Sequence, residues 1–106
     1  MTNFLDPARL AHFDADGMAK IDLARGEVLF LGLNCLEPGQ SQRTHTHEGA
    51  DKFYLVLSGK ARITSGGESG EAGPGTLVWC PAGAPHGVEE ALERSVILTG
   101  IAPAPR

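Results

Sequence analysis

The sequence predicts an all-β fold, a sandwich or closed barrel behind a short N-terminal helix, and three observations predict it. Short runs of β-forming residues recur from Lys20 to Ile101. Turn signals separate them at regular spacing, drawn from the 14 Gly and 7 Pro of a 106-residue chain. No helical periodicity lies between the runs, which excludes strand–helix–strand crossovers and a parallel sheet.

Asp6-Pro7 opens the one expected helix, with Pro7 at its first position and Leu10 and Phe13 on one face. Asp14-Ala15-Asp16-Gly17 ends it as a turn. Strands are expected at Lys20 to Leu23 and Glu27 to Leu36, broken at Arg25-Gly26. Glu37-Pro38-Gly39 is a turn in which proline presets one φ and glycine supplies the next, positive one. Gln42 to His47 is a short strand, and Phe53-Tyr54-Leu55-Val56-Leu57 is a dense run of β-formers. Ser58-Gly59 turns it back into Lys60 to Thr64. Ser65 to Gly70 reads as a flexible hairpin tip, and Gly73-Pro74-Gly75 as a turn into Thr76 to Cys80. Pro81-Ala82-Gly83-Ala84-Pro85 is a rigid corner, after which His86 to Glu89 and Arg94 to Ile101 complete the sheets.

The length suits one domain over residues 1–106, with a core large enough to fold but little to spare, so a homodimer is expected. A net charge of -4, with scattered Lys and Arg, argues against nucleic acid, which needs a concentrated basic face. The N-terminus lacks the basic-then-apolar pattern of a signal peptide, and no run approaches a membrane span. The expected location is the cytoplasm, and the expected partner is a small molecule. Cys35 and Cys80 match no zinc spacing and are expected to be reduced and buried.

His45 and His47 are two residues apart, so in a strand both point to one face. That suits two ligands on one cation, although two solvated polar residues would read the same way. His86 follows the proline-rich corner, which would fix its approach at little cost in ordering entropy.

These residues also carry a family resemblance. Gly39, His45, His47 and Gly59 match a pattern of glycine, five residues, His-x-His, three or four residues, glutamate, six residues and glycine. Gly75, Pro81, Gly83 and His86 match a second pattern of glycine, five residues, proline, one residue, glycine, two residues and histidine. The two together, in order, resemble the paired motifs of small single-domain cupins of the RmlC-like type over about residues 27–101. The resemblance implies a double-stranded β-helix, or jelly-roll barrel, with His45, His47 and His86 converging inside it on a divalent metal ion. Iron, manganese, nickel, zinc, cobalt and copper all suit three imidazoles. It further implies a metal-dependent dioxygenase, isomerase or lyase, or alternatively a non-catalytic binding or sensing barrel, with or without metal.

Two positions depart from the patterns. Glu90 replaces a terminal asparagine that is not a ligand in the family, and Lys52 stands where the family's glutamate completes the metal site. A protonated lysine offers donors but no lone pair. Two unit charges at about 4 Å repel by about 4 kcal/mol at an effective dielectric of about 20, and a divalent ion doubles that. Three arrangements follow. A bulge could turn Asp51 inward as the fourth ligand and Lys52 outward. The metal could sit on three histidines, with Lys52 nearby holding an anionic substrate. Or the barrel could bind an organic ligand without metal.

Tyr54 and Val56 share strand parity with Lys52 and are expected to line the cavity, while Phe53, Leu55 and Leu57 face a second sheet or a second subunit. Arg43 shares parity with the histidine pair and could meet an anion at the cavity mouth, though a solvated arginine is the simpler reading. Trp79 and Cys80 are expected in the core, and His12 and Glu48 at the surface.

Overall fold

The computed structural model describes residues 2–105. A single helical turn, α1 (Pro7–Leu10), is capped by the Asp6 carboxylate, which accepts from the Ala8 amide. Nine strands follow: β1 (Ala19–Arg25), β2 (Phe30–Leu36), β3 (Gln42–His45), β4 (Asp51–Ser58), β5 (Ala61–Ser65), β6 (Glu68–Ala72), β7 (Leu77–Cys80), β8 (His86–Ala91) and β9 (Ser95–Ala102). They form two antiparallel sheets, one in the order β1-β2-β9-β4-β7 and the other β3-β8-β5-β6. The architecture is a jelly roll. No helix among the described residues is long and apolar enough to cross a membrane.

The main core lies between the sheets. Leu36, Tyr54, Val56 and Ile97 from the larger sheet meet Ala61, Ile63, Val88 and Ala91 from the smaller one, together with Cys80. A second cluster, Ala19, Leu33, Cys35 and Val96, lies on the outer face of the larger sheet with Ala11 and Phe13 of the N-terminal segment packed on it. Both cysteines are free and buried, as expected, but in different clusters.

Several local expectations need correction. The helix stops at Leu10, and Phe13 lies beyond it. The turn buries no residue, so no packing holds a longer helix, and the chain leaves the helical region at Ala11, ψ 137°. Glu27, Val28 and Leu29 are exposed and belong to the β1–β2 connection. Residues 68–72, expected to lie in a flexible hairpin tip and the segment after it, are a strand instead. Gly66 and Gly67, at φ of 59° and 86°, make a two-residue turn that returns the chain along β5. The β6 edge is polar and almost wholly exposed, so no hydrophobic alternation announces it. Trp79 is 56% exposed and outside the core. Cys80 and Val78 take the inward positions of β7, so Trp79 must face out.

The β4 parity is as expected, with Lys52, Tyr54 and Val56 all buried, but Tyr54 and Val56 lie wholly in the core, and of the three Lys52 alone lines the cavity described below. The second sheet packs on that same side, so Phe53, Leu55 and Leu57 face outward.

Candidate metal centre

Two devices position the histidines. Gln42 pairs with Val88 and His45 with His86, so β3 carries one more residue than β8 over this span. That bulge closes on Gly87, where an added Cβ would lie 2.9 Å from both Gln42 O and Thr44 Cα. The second device is the proline-rich corner. Gly83, at φ 82°, donates its amide to His47 O at 3.0 Å, and the Gly66 amide donates to Pro85 O at 2.8 Å. The Ala82 amide donates to Asp51 Oδ1 at 2.9 Å. The corner that delivers His86 is thereby tied to the His47 loop, to β4 and to the β5–β6 turn.

The three imidazoles meet. Ring centroids lie 4.9 Å apart for His45–His47, 4.4 Å for His45–His86 and 5.3 Å for His47–His86. One ligand atom from each lies within 4.8 Å of the other two. His86 Nδ1 is 3.1 Å from Ala84 O and His45 Nδ1 is 2.9 Å from Arg43 O. A carbonyl can only accept, so both rings carry their proton on Nδ1 and present an Nε2 lone pair. His86 Nε2 is buried without a hydrogen-bond partner. A lone pair so placed is costly unless something fills the site, and a transition-metal ion fits this donor set.

Burial favours the neutral form of the rings. It lowers all three histidines, and His86 is pushed down to about 4, with Lys52 adding to the effect. The unfolded chain therefore takes up protons near pH 6.5 that the folded site refuses. The metal-free protein is expected to lose stability as pH falls from about 6.5 towards 4. Urea melts across that window would show the midpoint dropping; a flat profile would contradict the burial.

Asp51 does not join the histidines. Its side chain is exposed and holds the Ala82 amide. The bulge that would bring it inward is not there: β4 keeps continuous register against β9 from Asp51 to Val56, and the shift comes only between Val56 and Ser58. Lys52 is the inward residue, 7% exposed, with Nζ 4.8 Å from the centre of the Tyr54 ring. Burial lowers its pKa to about 8, which still leaves it largely cationic at neutral pH. The Tyr54 hydroxyl donates to Gln42 Oε1 at 2.5 Å. Arg43 is exposed at the rim; Glu48 and His12 are exposed, as expected.

A cavity of about 500 Å³ opens beside His45 and His47. Its wall also includes Lys20, Asp22, Asn34, Gln42, Arg43 and Lys52. The sequence reading missed Lys20, Asn34 and Gln42. Asn34 had a legible signal, a lone amide in the apolar run Leu31 to Leu36.

The cupin domain family matches residues 32–99, the span that carries all three histidines. The chain is a cupin. TT1209 from Thermus thermophilus is 39% identical with a TM-score of 0.92, over 98% of this cupin and 100% of that chain. An uncharacterized Streptomyces coelicolor protein, SCO3923, is 35% identical over 74 residues, 68% of each chain. KdgF from Halomonas sp. shares the fold at a TM-score of 0.85 and 22% identity, covering 99% of this cupin and 96% of that chain.

Proposed function

We propose that this cupin holds a divalent transition metal on Nε2 of His45, His47 and His86 and uses it on a small molecule in the adjoining cavity. The carrying observation is the buried, unpartnered His86 Nε2, set among two further imidazoles. When bound, the metal would supply Lewis-acid polarisation of an oxygen-bearing substrate or, as iron, a centre for dioxygen chemistry. The protein's own part is to orient the His45 and His86 rings through the Arg43 and Ala84 carbonyls and to tie the His47 backbone to the corner through the Gly83 amide. It also brings one cation, Lys52, against the site, where negative charge on a substrate would be stabilised. Dioxygenase, isomerase and lyase chemistry all fit this arrangement.

Elemental analysis followed by metal titration tests the site. His86→Ala is expected to weaken binding by more than about a hundredfold, since loss even of an outer-shell partner costs about 10- to 100-fold. Unchanged affinity would remove His86 from the site.

A second reading, a barrel that binds or senses a small molecule without turning it over, is favoured by one observation. Lys52 stands where the family's patterns carry a glutamate ligand. Oxygen uptake by the iron-loaded protein and turnover of small acids with each metal separate the two, silence throughout favouring the sensor.

The outer face of β4 and β7 supports a homodimer. Leu57, Leu77 and Trp79 are exposed there at 37%, 60% and 56%, beside half-buried Phe53 and Leu55. Light scattering should give a dimer mass, and Trp79→Lys a monomer; a monomeric parent would dispose of the idea.

A further inference from the structure

We infer that the cavity takes a small carboxylate whose anionic group lies against the Lys52 ammonium and bridges it to the metal. The inference rests on the proposed three-histidine site and names the class of molecule that completes it.

Lys52 is a largely buried lysine with no carboxylate paired to its ammonium among the described residues. Among the described residues the lysine/arginine–carboxylate pairs are Arg62–Glu71 and Arg94–Glu37, both on the surface and neither on the cavity wall. Its close neighbour is the face of the Tyr54 ring, and that residue's hydroxyl is already committed to Gln42. A π-face offsets only part of the cost of burying a charge. A metal on the histidines would make matters worse, because two cations would then face each other across the same space. An anion between them removes both penalties at once.

The cavity wall has the matching charge. It carries Lys20, Arg43 and Lys52 against one carboxylate, Asp22. Asn34 is 4% exposed on the same wall, and its Nδ2 has no hydrogen-bond partner, so a further donor is held unspent there. Cross-strand register explains the grouping. Lys20 pairs with Asn34 between β1 and β2, and Lys52 sits on the inward face of β4 in the same sheet. A carboxylate has two oxygens, one for an ammonium or amide donor and one for a metal. A phosphate dianion would ask for a fork of arginine or a nest of backbone amides; the buried part of this wall offers a point charge and an amide.

Because the anion is shared, its binding and the metal's must reinforce each other equally. Cobalt(II) is the metal probe, and propionate, propionamide and inorganic phosphate are the ligand probes. Saturating propionate is expected to tighten cobalt binding to the wild type by about tenfold, and propionamide to leave it unchanged. In Lys52→Met, cobalt should bind more tightly unaided, and the propionate effect should fall below about twofold. If that variant does not fold, Lys52→Gln carries the same comparison. A propionate effect that survives loss of the ammonium, an amide that works as well, or a preference for phosphate would each overturn the inference. Propionate titration of the metal-free protein, followed by amide chemical shifts, keeps this separate from the metal reading. Shifts at Asn34 and Lys52 that vanish in the variant support the anion site even if cobalt fails to bind. Their absence from the wild type overturns it even if cobalt binds.

Discussion

Lys52→Glu is expected to tighten divalent metal binding by at least about a hundredfold, the largest gain any single substitution should produce. The change removes a buried ammonium and supplies a carboxylate at the position where the family's pattern places its fourth ligand. At about 4 Å and an effective dielectric of about 20, a divalent ion and an ammonium repel by about 8 kcal/mol. Each 1.4 kcal/mol is about tenfold in affinity, so relief of even a third of that repulsion approaches a hundredfold before the new ligand adds its share. Lys52→Met should fall between wild type and Lys52→Glu, because it removes the repulsion without adding a ligand. Competition with a chelator of known affinity, using zinc, measures all three. Equal affinities would mean that Lys52 and the metal do not share the site. Without metal the glutamate variant should be unstable, as a buried carboxylate then lacks a partner.

Gly59→Ala should be the most damaging change outside the site. Gly59 has φ 84°, and a Cβ there would stand 2.2 Å from Arg94 O and 2.7 Å from Ser95 Cα. The β4–β5 turn crosses the chain before β9 at this point. Lys60 O receives the Leu92 and Glu93 amides at 2.8 and 3.1 Å, and the Ser95 hydroxyl at 3.2 Å. The Ser95 hydroxyl, at 2.5 Å, could rotate away, but Arg94 O and Ser95 Cα are backbone and cannot. A cost of about 4 kcal/mol is expected, or roughly 20 °C in Tm for a chain of this size. Gly39→Ala is the control: it shares a positive φ of 88° but meets nothing within 4 Å. It should cost only about 1–2 kcal/mol, the left-handed penalty alone. Thermal melts of the two variants separate backbone strain from collision; equal losses would show that the close crossing does not matter.

Much of the fold was legible because its signals are local. A proline presets its own φ and a glycine admits a positive one whatever the rest of the chain does, and strand parity follows from two-residue periodicity. The shared burial of Lys52, Tyr54 and Val56 could be read in that way. The β6 strand could not, since Glu68 to Glu71 gain their order from pairing with β5 and not from burying an apolar face. Trp79 is expected in the core together with Cys80, but two-residue alternation allows only one of these neighbours inward, and β7 turns Val78 and Cys80 in. Asp51 is a candidate ligand only through a bulge that would exchange it with Lys52, and no local signal says whether that bulge forms. Its work, holding the Ala82 amide, depends on a corner thirty-one residues away in the chain.

The all-β class, the turns, the three imidazoles able to ligate and the lysine that cannot while protonated are all set locally along the chain. All of these follow from residue chemistry and short-range backbone geometry. Only the tertiary structure decided that His86 closes on His45 through a bulge over Gly87, that Asp51 faces out and Lys52 in, and that Lys20 and Asn34 join the same wall. Periodicity says which side chains share a face. Which face looks inward, and what stands across from it, depends on long-range strand register, and register is settled when both sheets bury their apolar sides together.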